Sequence, residues 1–63
     1  MKISKIKFLK EKPYTQRESG QVITSVYSEI DEGWWIFYAD DILMQEEALD
    51  VLNNDELLNK YLD

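Results

Sequence analysis

Two β-prone segments flank a short polar stretch that ends in glycine, and this arrangement constrains the fold more than any other part of the chain. Residues 21–30 are rich in β-branched side chains, and residues 34–39 in aromatic and β-forming ones. Asp31, Glu32 and Gly33 lie between them and suit a hairpin whose last loop position is left-handed, because glycine adopts that conformation without strain. The sequence therefore predicts an antiparallel hairpin at its centre.

A further strand is predicted before the hairpin. Over residues 4–10, Ile6 and Phe8 alternate with Lys5 and Lys7, which is the period of a half-buried strand. A helix is the alternative, but no capping residue precedes it. The ten residues that follow the strand contain a proline, a serine-glycine pair and little apolar content, and they predict a long loop.

The period of two also assigns the side chains of the hairpin to two faces of the sheet. If Ile30 faces Trp34 across the loop, one face carries Val22, Val26, Ile30, Trp34, Ile36 and Tyr38, and the other carries Ile23, Tyr27, Trp35 and Phe37. Both faces are then apolar, which is unusual for a small antiparallel sheet. One layer of helix covers one face, so the second is either buried by the long loop or exposed as a contact patch.

Two helices are predicted after the sheet. Asp40 or Asp41 can cap the first, and its apolar pattern breaks at the next pair of asparagines. Asn53 with Glu56 resembles a capping box for a second, short helix. The apolar positions are Met44, Ala48, Val51 and Leu52, with Leu49 at the margin, and then Leu57, Leu58, Tyr61 and Leu62. The predicted fold is a single α+β domain over residues 1–63, a three-stranded antiparallel sheet followed by one or two C-terminal helices (βββα or βββαα).

The composition disfavours catalytic and metal sites. Without cysteine or histidine, the chain has no disulfide and no usual zinc site, and its hydroxyl groups have no histidine to act as a base. The acid pairs Asp40–Asp41 and Glu46–Glu47 would need a substrate cleft, and the cluster at 53–56 lacks the spacing of a calcium loop. We therefore expect a protein that is not an enzyme and that binds no cofactor and no metal.

The chain also lacks the patterns of secretion and membrane insertion. Lysines interrupt the apolar residues at its start, so they do not form the apolar core of a signal peptide. No segment approaches the roughly 18 apolar residues of a membrane span. We expect a cytoplasmic protein that makes no contact with a membrane.

Charge is segregated along the sequence. Residues 1–20 carry six bases and two acids, whereas residues 21–63 carry eleven acids and the single base Lys60, for a net charge of −6. The densest acids are Asp40, Asp41, Glu46, Glu47 and Asp50. On a helix rising about 1.5 Å per residue they would lie about 3 Å apart, close to the roughly 3.4 Å phosphate spacing of a DNA strand.

These acids repel one another where they are three or four residues apart. Glu46 and Glu47 each lie at contact spacing from Asp50, and no lysine follows on the same helical face. Three alternatives follow: the acids form a solvated helix face on which such repulsion is small, Lys5 and Lys7 of the first strand compensate them internally, or a cationic partner compensates them externally.

The functional hypothesis follows from this charge pattern and from the aromatic residues. We expect a small acidic inhibitor that binds a protein with a basic, nucleic-acid-binding surface, with no direct contact to nucleic acid. Small counter-defence proteins of phages, such as anti-CRISPR and anti-restriction proteins that mimic DNA, are the analogy. The predicted contact residues are Asp40, Asp41, Glu46, Glu47 and Asp50, with Tyr27, Trp35 and Phe37 as anchors and Asp31 and Glu32 in the hairpin loop. The alternatives are a homodimer that buries Trp35 and Phe37, and an antitoxin or immunity protein that does not mimic nucleic acid.

Overall fold

Three strands and then two helices follow one another along the chain. The computed structural model describes residues 2–12 and 21–62, so most of the predicted loop at 11–20 lies outside the described residues. The elements are β1 (Ile3–Leu9), β2 (Val22–Ser28), β3 (Gly33–Ala39), α1 (Gln45–Leu52) and α2 (Asp55–Tyr61). The predicted α+β class is confirmed in its βββαα form.

The strand β3 lies at the centre of the sheet. The spatial order is β1-β3-β2, and β3 pairs antiparallel with both neighbours. Phe37, for example, lies opposite Ile6 of β1 and Thr24 of β2. β3 has a strand on each edge and the helices over one face, and this position explains why it is a nearly continuous run of apolar and aromatic residues.

The register assigns every strand residue to one of two faces. The helix-covered face carries Ile3, Ile6 and Phe8 of β1, Val22, Thr24 and Val26 of β2, and Trp35, Phe37 and Ala39 of β3. The second face carries Lys5, Lys7 and Leu9, then Ile23, Ser25 and Tyr27, and then Trp34, Ile36 and Tyr38. A register irregularity between Ile3 and Lys5 brings Ile3 onto the helix-covered face beside Ile6.

The predicted distribution of side chains between the two faces is wrong. Tyr27, not Ile30, lies opposite Trp34, because β2 ends at Ser28 and Ser28 pairs with Gly33. The true pairing differs from the predicted one by an odd number of residues, and such a shift exchanges the faces of one strand relative to the other. Ile30 instead lies in the hairpin loop, where it is 94% exposed.

The left-handed position in this loop is also not the predicted one. Glu32, with a φ of 54°, occupies the left-handed region, and Gly33 begins β3. The constraint at Gly33 is steric, because an added Cβ would overlap the ring of Phe8 and lie 2.9 Å from the carbonyl oxygen of Leu9. The glycine therefore permits close packing of β3 against β1.

The two helices bury the helix-covered face. Ala48 and Val51 of α1 are buried, and Leu57, Leu58 and Tyr61 of α2 are half-buried against the same core. α1 lies against β2, and α2 lies against β1. Just after α2, Leu62 forms a single parallel bridge with Ile6, on the edge of β1 that does not face β3.

The start of α1 differs from the prediction. Neither Asp40 nor Asp41 caps the helix, since its N-cap is Met44, which has extended backbone and no side-chain cap bond. Met44 is exposed, and Leu43 is the buried residue. The hydroxyl of Thr24 donates to the carbonyl oxygen of Leu43 at 3.0 Å and holds this segment against the sheet, so the helix begins only after it.

The start of α2 is displaced by one residue. Asn54 is the N-cap, and its Oδ1 accepts a hydrogen bond from the backbone N–H of Leu57 at 3.3 Å. Asn53 is instead the C-cap of α1, and its backbone N–H donates to the carbonyl oxygen of Leu49 at 3.0 Å. The asparagine pair is thus shared, with one residue ending a helix and the other beginning the next.

Candidate functional site

The predicted acidic residues lie on two adjoining segments of the chain. Asp40 and Asp41 are in the connection after β3, and Glu46, Glu47 and Asp50 are on α1. We call these five residues the acidic surface. All are exposed except Glu47, which is half exposed. Because α1 begins at Gln45, only three of the five follow a helical line, and the charge spacing predicted for one continuous helix is not present.

A single salt bridge reaches the acidic surface from within the described ranges. Lys2 Nζ lies 3.4 Å from Glu47 Oε1, and both side chains are nearly half exposed. The same ammonium donates to the carbonyl oxygen of Ile42 at 3.3 Å. An ion pair this exposed is worth about 0–1 kcal/mol, so it neutralises little of the surface.

Of the alternatives given by the sequence, internal compensation by Lys5 and Lys7 does not agree with the positions of these two lysines. Both residues lie on the second face, opposite Tyr38 and Ile36, while α1 lies on the other side of the sheet. Strand alternation is the reason, because Ile6 must face the helices and its two neighbours then face away. Lys5 Nζ lies 4.6 Å from the centre of the Tyr38 ring, a cation–π contact on the second face.

The three predicted anchors do not form one surface. Phe37 is 0% exposed and belongs to the core, so it presents nothing to a partner in the folded state. Trp35 is half-buried on the helix-covered face, beside Phe8 with ring centres 4.9 Å apart. Tyr27 is exposed on the second face, where it packs edge-on against Trp34. A homodimer that buries Trp35 and Phe37 would require the helices to move aside.

The hairpin loop is fixed by Asp31. Its Oδ2 accepts hydrogen bonds from the Ser28 hydroxyl at 3.0 Å and from Trp35 Nε1 at 3.1 Å. Its backbone N–H donates to the Ser28 hydroxyl oxygen, and its carbonyl oxygen accepts from Lys10 Nζ at 3.3 Å. The carboxylate thus orients the indole of Trp35 and ties the loop to the sheet. Glu32, the other predicted loop residue, is exposed.

Two grooves meet at Asp31 and Trp35. The first, of about 440 Å³, lies between the hairpin and the helices and includes Ile30, Leu49 and Leu58 in its lining. The second, of about 420 Å³, is lined by Phe8, Asp31, Trp35 and Leu62. Sequence reasoning missed these grooves because it placed Ile30 in the second strand, opposite Trp34. Leu49 at the margin of the helix was a visible signal of apolar surface.

Residues 2–12 and 21–62 contain no group of three or more acidic, histidine or cysteine side chains placed to hold a metal ion. No helix within these ranges is long and apolar enough to cross a membrane. The cluster at 53–56 serves as a helix break and cap, as Asn54 shows.

The fold and the grooves define a small α+β domain with an acidic side and an apolar cleft. No protein-family model, no curated protein and no solved structure matches this chain. Its function is therefore inferred from the exposed residues and grooves of this chain.

Proposed function

We propose that this protein acts in the cytoplasm by binding, through its acidic surface, a protein whose own basic surface binds nucleic acid. Occupying that basic surface would inhibit the partner, and the role requires no catalytic step and no cofactor. One observation carries the proposal. The acidic surface has five carboxylates, and the one cation that bridges to it within the described residues, Lys2, is itself half exposed.

The geometry of α1 supports electrostatic competition more than a replica of a DNA strand. Glu46, Glu47 and Asp50 cover about 6 Å of helix at about 1.5 Å per residue, a shorter row than the five-charge row the sequence suggested. Asp40 and Asp41 precede α1 and are not part of the helix. A partner would meet a patch of charge, to which lysine and arginine side chains adapt by their flexibility.

The distribution of lysines supports the same proposal. Lys5 and Lys7 lie on the far side of the sheet from α1, so these two lysines of β1 do not cover the acids of α1. A molecule with opposite charges on opposite sides is oriented as it approaches a charged partner. The acidic surface would then arrive first at a cationic one.

The test variant carries four substitutions together, namely Asp41→Asn, Glu46→Gln, Glu47→Gln and Asp50→Asn. Once the binding partner has been isolated, the experiment measures how well this variant and the wild type compete with nucleic acid for it. We expect competition to be lost, and the wild-type competition to weaken as salt rises from about 0.05 to 0.5 M, because salt screens exposed charges. The matched control neutralises four acids that are not among the predicted contact residues, namely Glu11, Glu18, Glu29 and Glu56. Equal loss in both variants would indicate a dependence on net charge alone, and unchanged competition in the first would refute the proposal.

A further inference from the structure

The two grooves at Asp31 and Trp35 indicate which segment of a partner this protein recognises. We propose that the Asp31 carboxylate receives a lysine or arginine side chain of the partner, and that large apolar side chains next to that cation occupy the grooves. The proposal rests on the proposed function, since it describes part of the same cationic partner. It adds an apolar requirement that charge alone would not impose.

Asp31 is held in place for such a contact. Both hydrogen bonds to its carboxylate, from Ser28 and Trp35, reach Oδ2. Within the described residues, Oδ1 accepts no hydrogen bond, and the side chain is exposed. Lys10 contacts the backbone carbonyl of Asp31 and forms no salt bridge with its carboxylate. An oriented carboxylate with a vacant oxygen favours a charge-assisted hydrogen bond from a cation.

The lining of the grooves supplies the apolar half of the site. Leu49 and Leu58 come from the two helices, and Ile30 stands almost fully exposed at the rim. On the other side of Trp35, the second groove is bounded by Phe8 and Leu62. Each groove lies within the volume of about 300–1,000 Å³ that is typical of ligand sites, and each accepts an apolar side chain.

Charge complementarity selects the kind of occupant. The charged residues that line the grooves are Asp31 and Asp55, both acidic. No lysine or arginine of the described ranges forms a salt bridge with either. A phosphate group would be repelled here, whereas a lysine or arginine would be attracted. The occupant is therefore a protein segment that carries apolar side chains around a cation.

The experiment uses the full chain and two synthetic peptides. The first has leucines on either side of a central arginine and lysines at both ends, and the second replaces the leucines by serines at equal charge. Binding is followed by NMR through the indole N–H of Trp35 and the methyl groups of Ile30 and Leu49. We expect the leucine peptide to shift these signals and to bind about ten-fold more tightly than the serine peptide, since each buried leucine adds favourable apolar burial.

Matched variants localise the contact. Leu49→Gln changes a groove residue that is 46% exposed, and Leu9→Gln changes a leucine that is 42% exposed on the second face. We expect the first to weaken leucine-peptide binding about five-fold and the second to leave it unchanged. Asp31→Asn should weaken binding about five-fold while its amide oxygen still accepts from Trp35. Glu11→Gln should have no effect, because Glu11 is an exposed acid that lines neither groove and is not part of the acidic surface. The loop is intact if the Trp35 indole signal of the Asp31→Asn variant, measured without peptide, lies where it does in the wild type.

Three outcomes would overturn this proposal. They are equal binding of the two peptides, equal weakening by Leu49→Gln and Leu9→Gln, and the absence of any shift at Trp35. None of them bears on the competition assay with the four-acid variant. Failure of the grooves and failure of the acidic surface are therefore separable.

Discussion

Each face of the sheet has a fully buried residue at the centre of β3, but the helices cover only one of the two faces. On the helix-covered face Phe37 is fully buried beneath the helices, and on the second face Ile36 is only 1% exposed. No helix within the described residues lies on that second face. The aromatic content of β3 therefore reflects a strand that is buried in both directions, and it is weaker evidence of a contact surface than the sequence suggested.

The two faces also differ in charge, and this difference bears on function. The second face carries lysines of β1 beside aromatic rings, as in the contact of Lys5 with Tyr38. The opposite side of the molecule carries α1 and its acids. For Lys5 and Lys7 the separation of charge along the sequence is also a separation in space, because alternation along β1 places both on the second face. Lys2 of the same basic segment instead reaches Glu47 of α1.

The prediction with the largest expected effect tests whether both faces of the sheet contribute to the stability of the protein. We expect Phe37→Ala to cost about 3–5 kcal/mol and Ile36→Ala about 2–5 kcal/mol in the free energy of unfolding, because each would leave a cavity. Chemical denaturation followed by tryptophan fluorescence would measure both. Since so small a domain has little stability to lose, Phe37→Leu provides a milder variant if Phe37→Ala is unfolded.

Ile42→Ala is the control for this comparison, because Ile42 is an exposed residue of similar size. We expect its substitution to change the free energy of unfolding by about 0.5 kcal/mol or less. If Ile36→Ala were as mild as Ile42→Ala, the second face would not be packed, and Ile36 would not contribute to stability as Phe37 does.

The next effect concerns Gly33, where β3 passes closest to β1. Gly33→Ala should destabilise the protein by about 1–3 kcal/mol, because the new methyl group overlaps the Phe8 ring and approaches the Leu9 carbonyl. Phe8→Leu in the same chain should recover part of the loss, since it removes the ring but leaves the carbonyl in place. Thermal unfolding of the two single variants and the double variant measures the coupling.

Glu32→Gly separates the steric role of Gly33 from backbone conformation. Glu32 has the left-handed backbone, so glycine there should be neutral or slightly stabilising. A harmless Gly33→Ala would show that β1 and β3 are less tightly packed than the close approach of Phe8 implies.

Local patterns in the sequence predicted the elements of this fold well. The alternation of Ile6 and Phe8 with lysines predicted β1, and the β-branched and aromatic runs predicted the other two strands. The order of the strands in space was not predicted, because it depends on which pairs bury most surface and not on any one segment. The exchange of faces has the same origin, since a loop one residue longer than expected reverses the register.

The candidate site was less predictable than the fold. Charge density along the chain identified the acidic surface, because exposed acids need no tertiary partner to be recognised. It did not identify the grooves at Asp31 and Trp35, since these arise where the hairpin loop meets both helices. The sequence did not predict the burial of Phe37 for a related reason. An aromatic residue in a strand gives the same sequence pattern whether it packs against a helix or against a partner.

The prediction with the smallest expected effect tests what holds α2 against the helix-covered face. α2 has no fully buried residue, so its N-cap should contribute a measurable share of its stability. We expect Asn54→Ala to cost about 1 kcal/mol in the free energy of unfolding, because Asn54 Oδ1 accepts from the Leu57 N–H. Asn53→Ala should cost only a few tenths of a kcal/mol, because Asn53 ends α1 through its backbone N–H alone.

The adjacent asparagines make this a sharp comparison of the same substitution at neighbouring sites. Hydrogen exchange of the α2 amides would show whether the loss is local, with faster exchange in Asn54→Ala while β3 keeps its protection. If Asn53→Ala were the more damaging change, the capping box predicted from the sequence would be correct and the observed cap would not. Equal effects would mean that packing of Leu57, Leu58 and Tyr61 alone holds the helix. The stability of the helix-covered face would then come from side-chain packing, as that of the second face does.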